Sequence, residues 1–209
     1  MSLDVSAFIV SLQLATAVSV VLFLVMTPVA YWFVFSKSRW RPFIEALLTI
    51  PLTLPPTVVG FYLLLCLAPI HWAFTFRALF IGAFILNLPI ALQAFVNAVR
   101  GVPRALLESS WCLGWSKLQT LIRVVVPLTW RGLLAGALLC FAHSFGEFGV
   151  AMMVGGNLPG VTRTVSISIY DQVQNLDFNH ASQTAMLQVL LSLCLLIMIS
   201  LLKYESSSR

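Results

Sequence analysis

Long runs of apolar residues, separated by short polar segments, constrain this chain more than any other feature of its sequence. Hydrophobic residues make up 60% of the 209 positions and charged residues only 9%, whereas a typical soluble domain has about 25% charged residues. So few charged side chains cannot cover a water-facing surface, so most of the surface must face lipid. The sequence therefore predicts an integral membrane protein. The length of the runs favours helices over the short alternating strands of a membrane barrel.

Five of these runs are long enough to cross the hydrocarbon core of a bilayer, which takes about 20 apolar residues per helix. The predicted spans are Ala7–Phe35, Ile44–Leu67, Ala78–Val99, Leu133–Val154 and Ala185–Leu202. The first run follows Asp4 with no basic residue before it, so we expect a retained span rather than a cleaved signal peptide. The expected fold class is all-α: a polytopic membrane protein whose single transmembrane domain covers residues 1–209.

Basic residues are concentrated on one side of the membrane that these spans define. Two of the twelve, Arg77 and Arg163, lie on the opposite side. The other ten are Lys37, Arg39, Arg41, Arg100, Arg104, Lys117, Arg123, Arg131, Lys203 and Arg209. Because cytoplasmic loops carry the excess of Lys and Arg, we predict that the ten face the cytoplasm. The N-terminus is then outside and the C-terminus inside.

The charge and cysteine patterns argue against several classes of function. The net charge of +5 comes from residues at the ends of spans, which does not indicate binding to nucleic acid. The four cysteines lie far apart and have no metal-ligand spacing. The phosphate-binding pattern G-x-x-x-x-G-K-[ST] is absent, so the sequence offers no visible means of hydrolysing ATP. We therefore predict no catalytic residue, no metal and no cofactor for this chain.

Residues 103–127 are the long polar segment between the third and fourth spans, and their pattern predicts a short amphipathic helix. Pro103 suits the first turn of a helix, and Gly114 permits a break or a turn. The apolar positions at helical spacing are Leu107, Trp111, Gly114, Trp115 and Leu118. Such a face fits a groove on a partner protein, and it equally fits the headgroup region of a bilayer. The pattern alone leaves both alternatives open.

The same segment resembles the EAA loop of ATP-binding-cassette importer permeases, usually written E-A-A-x3-G-x9-I-x-L-P. The matching positions are Glu108, Gly114, Val124, Val126 and Pro127. Two serines replace the alanines, and valines replace the isoleucine and the leucine. The resemblance implies a coupling helix that docks in a groove of an ATPase subunit. The residues expected at this joint are Arg104, Glu108, Trp111, Gly114, Trp115 and Pro127. We expect Pro127 to end the second helix of the loop before the fourth span begins.

Further segments resemble the molybdate branch of these permeases. They are LTLPPTVVGF at residues 52–61, GEFG at 146–149, GNLPGVTRT at 156–164 and IYD at 169–171. The resemblance covers nearly the whole chain and implies a MetI-like importer permease fold in the bacterial cytoplasmic (inner) membrane. It also implies two permeases, two ATPase subunits, an extracytoplasmic oxyanion-binding protein and transport of molybdate by alternating access. Tungstate and sulfate stay open as alternative substrates.

Polar residues and prolines give candidates for the anion path. A cationic group among amides and hydroxyls can satisfy the lone pairs of an oxyanion, so we expect such a cluster to form the outer mouth. The cluster consists of Asn157, Thr162, Arg163, Thr164 and Ser166. The alternative for Arg163 is a solvated arginine in a loop. Pro51, Pro55 and Pro56 predict a break in the second span, either a pore-lining hinge or a static kink. In the third span, Asn87, Pro89 and Gln93 are expected to place polar groups on the same path.

Glu147 is a carboxylate within the predicted fourth span, where a charge costs on the order of 2–4 kcal/mol. A carboxylate facing the path would repel a dianion, so we expect a structural role for Glu147. It would cap or pin the outer end of the span, together with His143 one turn earlier. Gly146 and Gly149 would allow close approach of helices there. The alternation in residues 165–171 is typical of a strand, but the resemblance implies a short helix.

Two other classes of function compete with a transport subunit. A membrane-embedded enzyme would need clustered catalytic or metal-binding residues, for which His143 and Glu147 are the one candidate pair. A passive channel would leave the pattern of residues 108–127 unexplained. Five spans are few to enclose a path for a hydrated dianion, so we expect a two-fold homodimer with the pore on its axis. We expect the chain itself to perform no chemistry.

Overall fold

The computed structural model describes residues 4–207, with side chains through Leu202. Within this range the chain forms ten α-helices and one π-helical segment. They are α1 (Val5–Phe35), α2 (Arg41–Thr53), α3 (Pro56–Leu67), α4 (Phe76–Arg100), α5 (Arg104–Cys112), α6 (Lys117–Thr120), the π-helical segment (Leu121–Val125), α7 (Val126–Gly146), α8 (Gly149–Gly155), α9 (Val165–Gln174) and α10 (Phe178–Ser207). The predicted all-α membrane fold is confirmed.

Helices α1, α4 and α7 pack against one another and form the core. Their central side chains, each at most 1% exposed, are Leu14, Leu22, Phe33, Phe95 and Leu133. The crossing of α4 and α7 depends on small residues. A Cβ added at Gly132 would lie 2.8 Å from the Cβ of Ala98, and one added at Gly136 would lie 3.0 Å from the Cβ of Ala94. Small residues therefore let these two backbones approach closely, as in other membrane helix pairs.

Four helices are long and apolar enough to cross a membrane, and a bent pair adds a fifth if it counts as one span. The long helices are Val5–Phe35, Phe76–Arg100, Lys117–Gly146 and Phe178–Leu202. They overlap the predicted first, third, fourth and fifth spans. The side chains of Lys203 and Arg209, two of the ten predicted cytoplasmic cations, lie outside the described part of the chain.

The fourth span differs from its prediction at both ends, because its helix runs from Lys117 to Gly146. Proline lacks an N–H group and crowds the carbonyl four residues earlier, which for Pro127 is that of Arg123. Arg123 lies in the π-helical segment, whose wider turn lets the Val126 N–H donate to the Leu121 carbonyl. The helix passes through Pro127 without stopping, so the expectation that this proline ends a helix is wrong.

The second span is broken into α2 and α3, which meet at an angle of 106°. Leu54 and Pro55 at the break are extended, with ψ of 143° and 134°. A residue before a proline is pushed out of the helical region, which explains why the chain turns here. The predicted break is present at Pro55 and Pro56, but the expectation that Pro51 takes part in it is wrong, because Pro51 lies inside α2. All residues of α2 are at least partly exposed in the single chain.

Helices α8, α9 and α10 pack around this core. Helix α8 packs on α3 and α4, and α9 packs on α10. The segment that alternates like a strand is the helix α9, as the family resemblance implied, and Thr164 caps its first turn. Helix α10 contacts α7 and leaves large apolar side chains exposed, among them Met186 at 67% and Val189 at 65%.

Candidate coupling surface and anion path

The α5–α6 segment (residues 104–120) consists of two short helices joined by a buried polar contact. Leu107 and Ser110 of α5 face the interior, at 1% and 3% exposure. The Ser110 hydroxyl donates to the Leu107 carbonyl at 2.7 Å and shares a 2.9 Å hydrogen bond with the hydroxyl of Thr120. Thr120 is itself fully buried at the end of α6. This contact ties the end of α5 to the end of α6.

The turn between the two limbs is built around Gly114, as the sequence predicts. Gly114 has φ of +79°, a backbone region that non-glycine residues rarely adopt. Nothing lies within 4 Å of a Cβ added there, so the glycine is required by backbone conformation rather than by space. Ser116 then starts α6 with a capping box: its hydroxyl accepts from the Gln119 N–H, and the Gln119 side chain accepts from the Ser116 N–H.

The outer surface of the α5–α6 segment is apolar and exposed. Its large exposed side chains are Leu106 (43%), Trp111 (43%), Leu113 (73%) and Leu118 (63%). Arg104 and Glu108 lie exposed on the same helix, and the Arg123 guanidinium stacks 5.4 Å from the centre of the Trp115 ring. The five apolar positions predicted for one face do not share a face. The turn at Gly114 divides them between α5 and α6, and Leu107 points inward. The exposed remainder has the composition of a surface that contacts a partner.

Arg163, predicted at the outer mouth, lies in a network of paired groups. Its Nε donates to the side-chain oxygen of Asn157 at 2.5 Å. Its two terminal nitrogens lie 3.5 Å from an Asp4 carboxylate oxygen and 3.7 Å from an Asp171 carboxylate oxygen. Asn157 also donates to Asp171 at 2.9 Å. The arginine charge is thus balanced by two carboxylates, and the cluster links the start of α1 to the loop and to α9.

The hydroxyl groups around Arg163 are also used within the protein. Thr162 donates to the Gly155 carbonyl at 2.6 Å, and Thr164 accepts from the first turn of α9. Ser166 donates to the Gly146 carbonyl at 3.0 Å, which satisfies the end of α7. Thr162 and Thr164 are at most 1% exposed. Their role toward an oxyanion stays a prediction, and the geometry gives them a structural one.

The hydrogen bonds that the Asp4 carboxylate accepts, together with the nearby charge of Arg163, favour its ionised form. Partial burial by itself raises the pKa of Asp4. The hydrogen bonds from Ser6 and the Ala7 N–H, together with the nearby Arg163 charge, outweigh that effect and hold the pKa below its usual range. Asp4 is therefore a carboxylate at neutral pH and a lasting partner for Arg163.

Glu147 is 8% exposed and sits at the junction of α7 and α8. Its Oε1 accepts from the Val150 N–H at 3.0 Å, so it caps α8 rather than the end of the fourth span. Gly149 lies close to Pro56, since an added Cβ there would be 2.8 Å from the proline ring. Gly146 is less crowded, since an added Cβ there would lie 3.7 Å from the side-chain nitrogen of Gln188. His143 is exposed one turn earlier, on a hollow that α7 forms with α4.

Two polar residues of α4 that the sequence placed on the path, Asn87 and Gln93, lie in different surroundings. Asn87 is fully buried and donates to the Ala83 carbonyl and the Ser144 hydroxyl, so it belongs to the core. Gln93 is exposed, as are Asn97 and Arg100, which the sequence analysis left unassigned to the path. The recurrence of polar residues at positions 93, 97 and 100 of an otherwise apolar helix is the signal that would have found them.

The family that matches this chain covers nearly all of it. Its description is binding-protein-dependent transport system inner membrane component, and the match extends over residues 19–206. The chain belongs to this family. It is therefore a multi-pass membrane permease, the class of protein to which the EAA-like segment pointed.

Comparison with individual proteins agrees with this family. The molybdenum transport system permease protein ModB of Azotobacter vinelandii is 37% identical over 207 residues, which cover 92% of this chain and 91% of the relative. The probable sulfate transport system permease protein cysT of Prototheca wickerhamii is 26% identical over 176 residues, which cover 78% of this chain and 69% of the relative. A chain in an inward-facing structure of the MetNI methionine ABC transporter superimposes with a TM-score of 0.80 at 15% identity, covering 99% of both chains. The predicted MetI-like fold is confirmed.

Proposed function

We propose that this chain is the permease subunit of an ATP-binding-cassette importer that carries molybdate into the bacterial cytoplasm. The exposed apolar surface of the α5–α6 segment, in a chain of the binding-protein-dependent transport family, carries this proposal. The 37% identity to a molybdenum permease over nearly the full length supports molybdate as the substrate. The chain itself would catalyse no reaction, because ATP hydrolysis belongs to a separate subunit.

The α5–α6 segment would receive the movement of the ATPase and pass it to the membrane. Side chains proposed to contact the ATPase are Arg104, Glu108, Trp111, Trp115 and Leu113. Helix α6 continues through the π-helical segment into α7 as one helix of 30 residues, a length of about 45 Å at 1.5 Å per residue. A displacement at Lys117 would therefore reach Gly146 at the opposite end without crossing a flexible joint.

Assembly into a homodimer would place the conduit between two copies of this chain. Helix α2 supports this proposal, because it offers exposed apolar side chains such as Phe43 at 64% and Leu47 at 57%. Two-fold symmetry would present the same surface twice across one axis. The complete importer would hold two ATPase subunits on the cytoplasmic side and an oxyanion-binding protein outside, with the N-terminus outside and the C-terminus inside.

The outer loop would form the wall of the entrance in this assembly. Arg163 and its neighbours Asn157, Thr162, Thr164 and Ser166 hold that wall together through the hydrogen bonds and ion pairs described above. Pro55 and Pro56 would hold the bend between α2 and α3 beside the conduit. ATP binding would draw the two α5–α6 segments together and open the conduit outward, and hydrolysis would reverse the movement.

Sulfate and tungstate are the alternative substrates. The likeness to a sulfate permease is the observation that supports sulfate. Molybdate, tungstate and sulfate are all tetrahedral dianions, so one conduit could pass each of them. An embedded enzyme is less well supported, because Glu147 is engaged in capping α8 while His143 faces a hollow.

Transport in proteoliposomes tests the proposal directly. The chain would be purified together with a candidate ATPase subunit and a candidate oxyanion-binding protein from the same organism. The complex would be reconstituted into vesicles, with ATP supplied on the side of the membrane that carries the ATPase. We expect ATP-dependent uptake of labelled molybdate that unlabelled tungstate competes with strongly and sulfate weakly. Uptake without ATP would identify a passive channel, and strong competition by sulfate alone would identify a sulfate permease. Absence of uptake for all three anions would overturn the proposal.

A further inference from the structure

One face of α4 carries three polar side chains, which we call the α4 strip: Gln93, Asn97 and Arg100. Their spacing of four and three residues places them above one another on one side of the helix. The neighbouring face, with Ala94 and Ala98, contacts Gly132 and Gly136 of α7. The strip therefore lies beside the packed crossing and remains accessible in the single chain.

Two hollows meet along the α4 strip. The hollow toward α2 has a volume of about 230 Å³, and its polar lining includes Arg41, Glu45 and Thr49 as well as Gln93 and Asn97. The hollow toward α7 has a volume of about 520 Å³ and reaches His143. Gln93 and Asn97 line both of them. The two amides thus form the common wall of a groove between α2 and α7.

The groups on the strip are available to a ligand. Asn97 accepts a hydrogen bond from Arg100 at 3.4 Å through its side-chain oxygen, which leaves its amide N–H groups free of partners among the described residues. Gln93 likewise has no hydrogen-bond partner within the described part of the chain. Amide and guanidinium groups are costly against lipid and are found facing cavities or partners inside membranes. An amide N–H donates to an oxyanion without the strong attraction that a full charge would add.

The charge along the groove rises toward one end. Arg41 and Arg100 lie there with a single carboxylate, Glu45. This excess of positive charge favours a dianion, and the neutral amides of Gln93 and Asn97 continue the groove into the membrane-spanning part of α4. The outer cluster differs, because the charge of Arg163 is already balanced by two carboxylates.

We propose that Gln93 and Asn97 contact the tetrahedral oxyanion during its passage, and that Arg100 and Arg41 attract it at the inner end of the groove. This inference rests on the proposed function and deepens it by naming the polar groups of the conduit. In a homodimer, two copies of the strip would present four amide side chains to one dianion. The strip is thereby a determinant of which anions pass.

Replacing the donors by carboxylates of the same size tests the inference. Gln93→Glu and Asn97→Asp put a negative charge where the dianion would pass, so we expect molybdate uptake to fall by at least about tenfold through like-charge repulsion. Gln174→Glu is the matched control, because Gln174 is an exposed glutamine at the end of α9, outside the long apolar helices and away from both hollows. Its uptake should stay close to that of the wild type. Copurification with the ATPase and basal ATP hydrolysis would show that each variant assembles.

The outcomes separate this inference from the proposed function. If the wild-type importer takes up none of the three oxyanions, the proposed function fails. If the wild type transports molybdate and Gln93→Glu and Asn97→Asp transport it as well as Gln174→Glu does, the inference alone fails. Loss of uptake in the two strip variants, with uptake kept in the control, supports it.

A second measurement covers the case in which a carboxylate variant does not assemble. Gln93→Cys and Asn97→Cys, made in a chain whose four native cysteines are replaced by alanine, would be treated with a water-soluble thiol reagent. We expect both thiols to react, and molybdate to slow the reaction in the assembled importer. Thiols that do not react, or that react at the same rate with molybdate present, would overturn the inference.

Discussion

The α5–α6 segment lies at one end of α7, and the loop around Arg163 (residues 156–164, the outer loop by its predicted side) lies at the other. The two regions differ in how their side chains are used. In the outer loop, Arg163 is paired with Asp4, Asn157 and Asp171 inside the chain. In the α5–α6 segment, Trp111 and Leu113 remain exposed to 43% and 73%. The polar groups around Arg163 have partners within the chain, whereas the α5–α6 segment leaves apolar side chains exposed.

The two regions also differ in the feature of the sequence that marked each as a candidate site. Arg163 is one of two basic residues on the predicted outer side, which made it a candidate for the anion mouth. Its ion pairs link the loop to the start of α1 and to α9, which is a structural role. The contrast yields predictions in which changes to the α5–α6 segment affect partner binding, and changes to the outer loop affect stability.

The largest effect is expected for Trp111→Ala. Exposed tryptophans at the centre of an interface commonly contribute at least about 2 kcal/mol to binding, which is roughly a thirtyfold change in Kd. We therefore expect affinity for the ATPase to fall by about that factor, measured by titration of the detergent-solubilised chain. Trp130→Ala is the matched control, because Trp130 of α7 has a similar exposure of 48% and lies outside the segment. Equal affinity in both variants would contradict the assignment of this surface.

Gly114→Ala should have the next largest effect. An L-residue in the left-handed region costs about 1–2 kcal/mol, so the turn between α5 and α6 would be populated about tenfold less. ATP-dependent uptake should fall by a similar factor while the purified chain keeps its helix content. Gly101→Ala makes the same change at a φ of −70° and should leave uptake unaffected. A normal rate for Gly114→Ala would show that the turn tolerates another conformation.

Arg163→Ala should reduce stability rather than affinity for the anion. Removing the guanidinium leaves Asp4 and Asp171 without their partner, and partly exposed ion pairs of this kind contribute about 1 kcal/mol at most. We expect a lower thermal unfolding temperature with an unchanged KM for molybdate. Arg77→Ala, at the other outer arginine, should change neither quantity. Normal stability combined with a raised KM would instead make Arg163 part of the binding surface.

The smallest effect is a dependence of stability on acid pH. The pKa of Asp4 lies below its usual range in the folded chain, because hydrogen bonds and Arg163 outweigh its partial burial. Its contribution is therefore present above the pKa of the unfolded chain, about 3.9, and is lost as the pH falls through the lowered folded value. Unfolding temperatures measured from about pH 5 to pH 3 should fall less steeply for Asp4→Asn than for the wild type. Parallel curves would contradict the role of this carboxylate.

Features that depend on neighbouring residues were predicted well from the sequence. The apolar runs predicted the long helices, and Gly114 predicted the turn that its φ of +79° requires. Pro55 and Pro56 predicted the break between α2 and α3, where the residue before each proline is extended. In these cases the information and the structure lie within a few residues of one another.

The limits of the fourth span could not be predicted in the same way. The sequence predicted that the helix containing residues 121–126, LIRVVV, ends at Pro127, but a π-helical turn lets the helix continue past it. At the other end, the carbonyl of Gly146 is satisfied by Ser166, which lies 20 positions further along the chain. The stop of a helix depends on such partners, and the sequence does not show which partner will be near.

The sequence by itself determined that this chain is a membrane protein, that its spans are helical and that an amphipathic segment interrupts them, because composition, periodicity and spacing are local properties. The tertiary structure alone decided which polar groups are used and which are free. Arg163 meets Asp4 across 159 positions of sequence, and Gln93 faces a groove that three helices create together. The same side chain can be structural or functional, and packing between distant segments determines which, because it decides whether a hydrogen-bonding partner lies within reach.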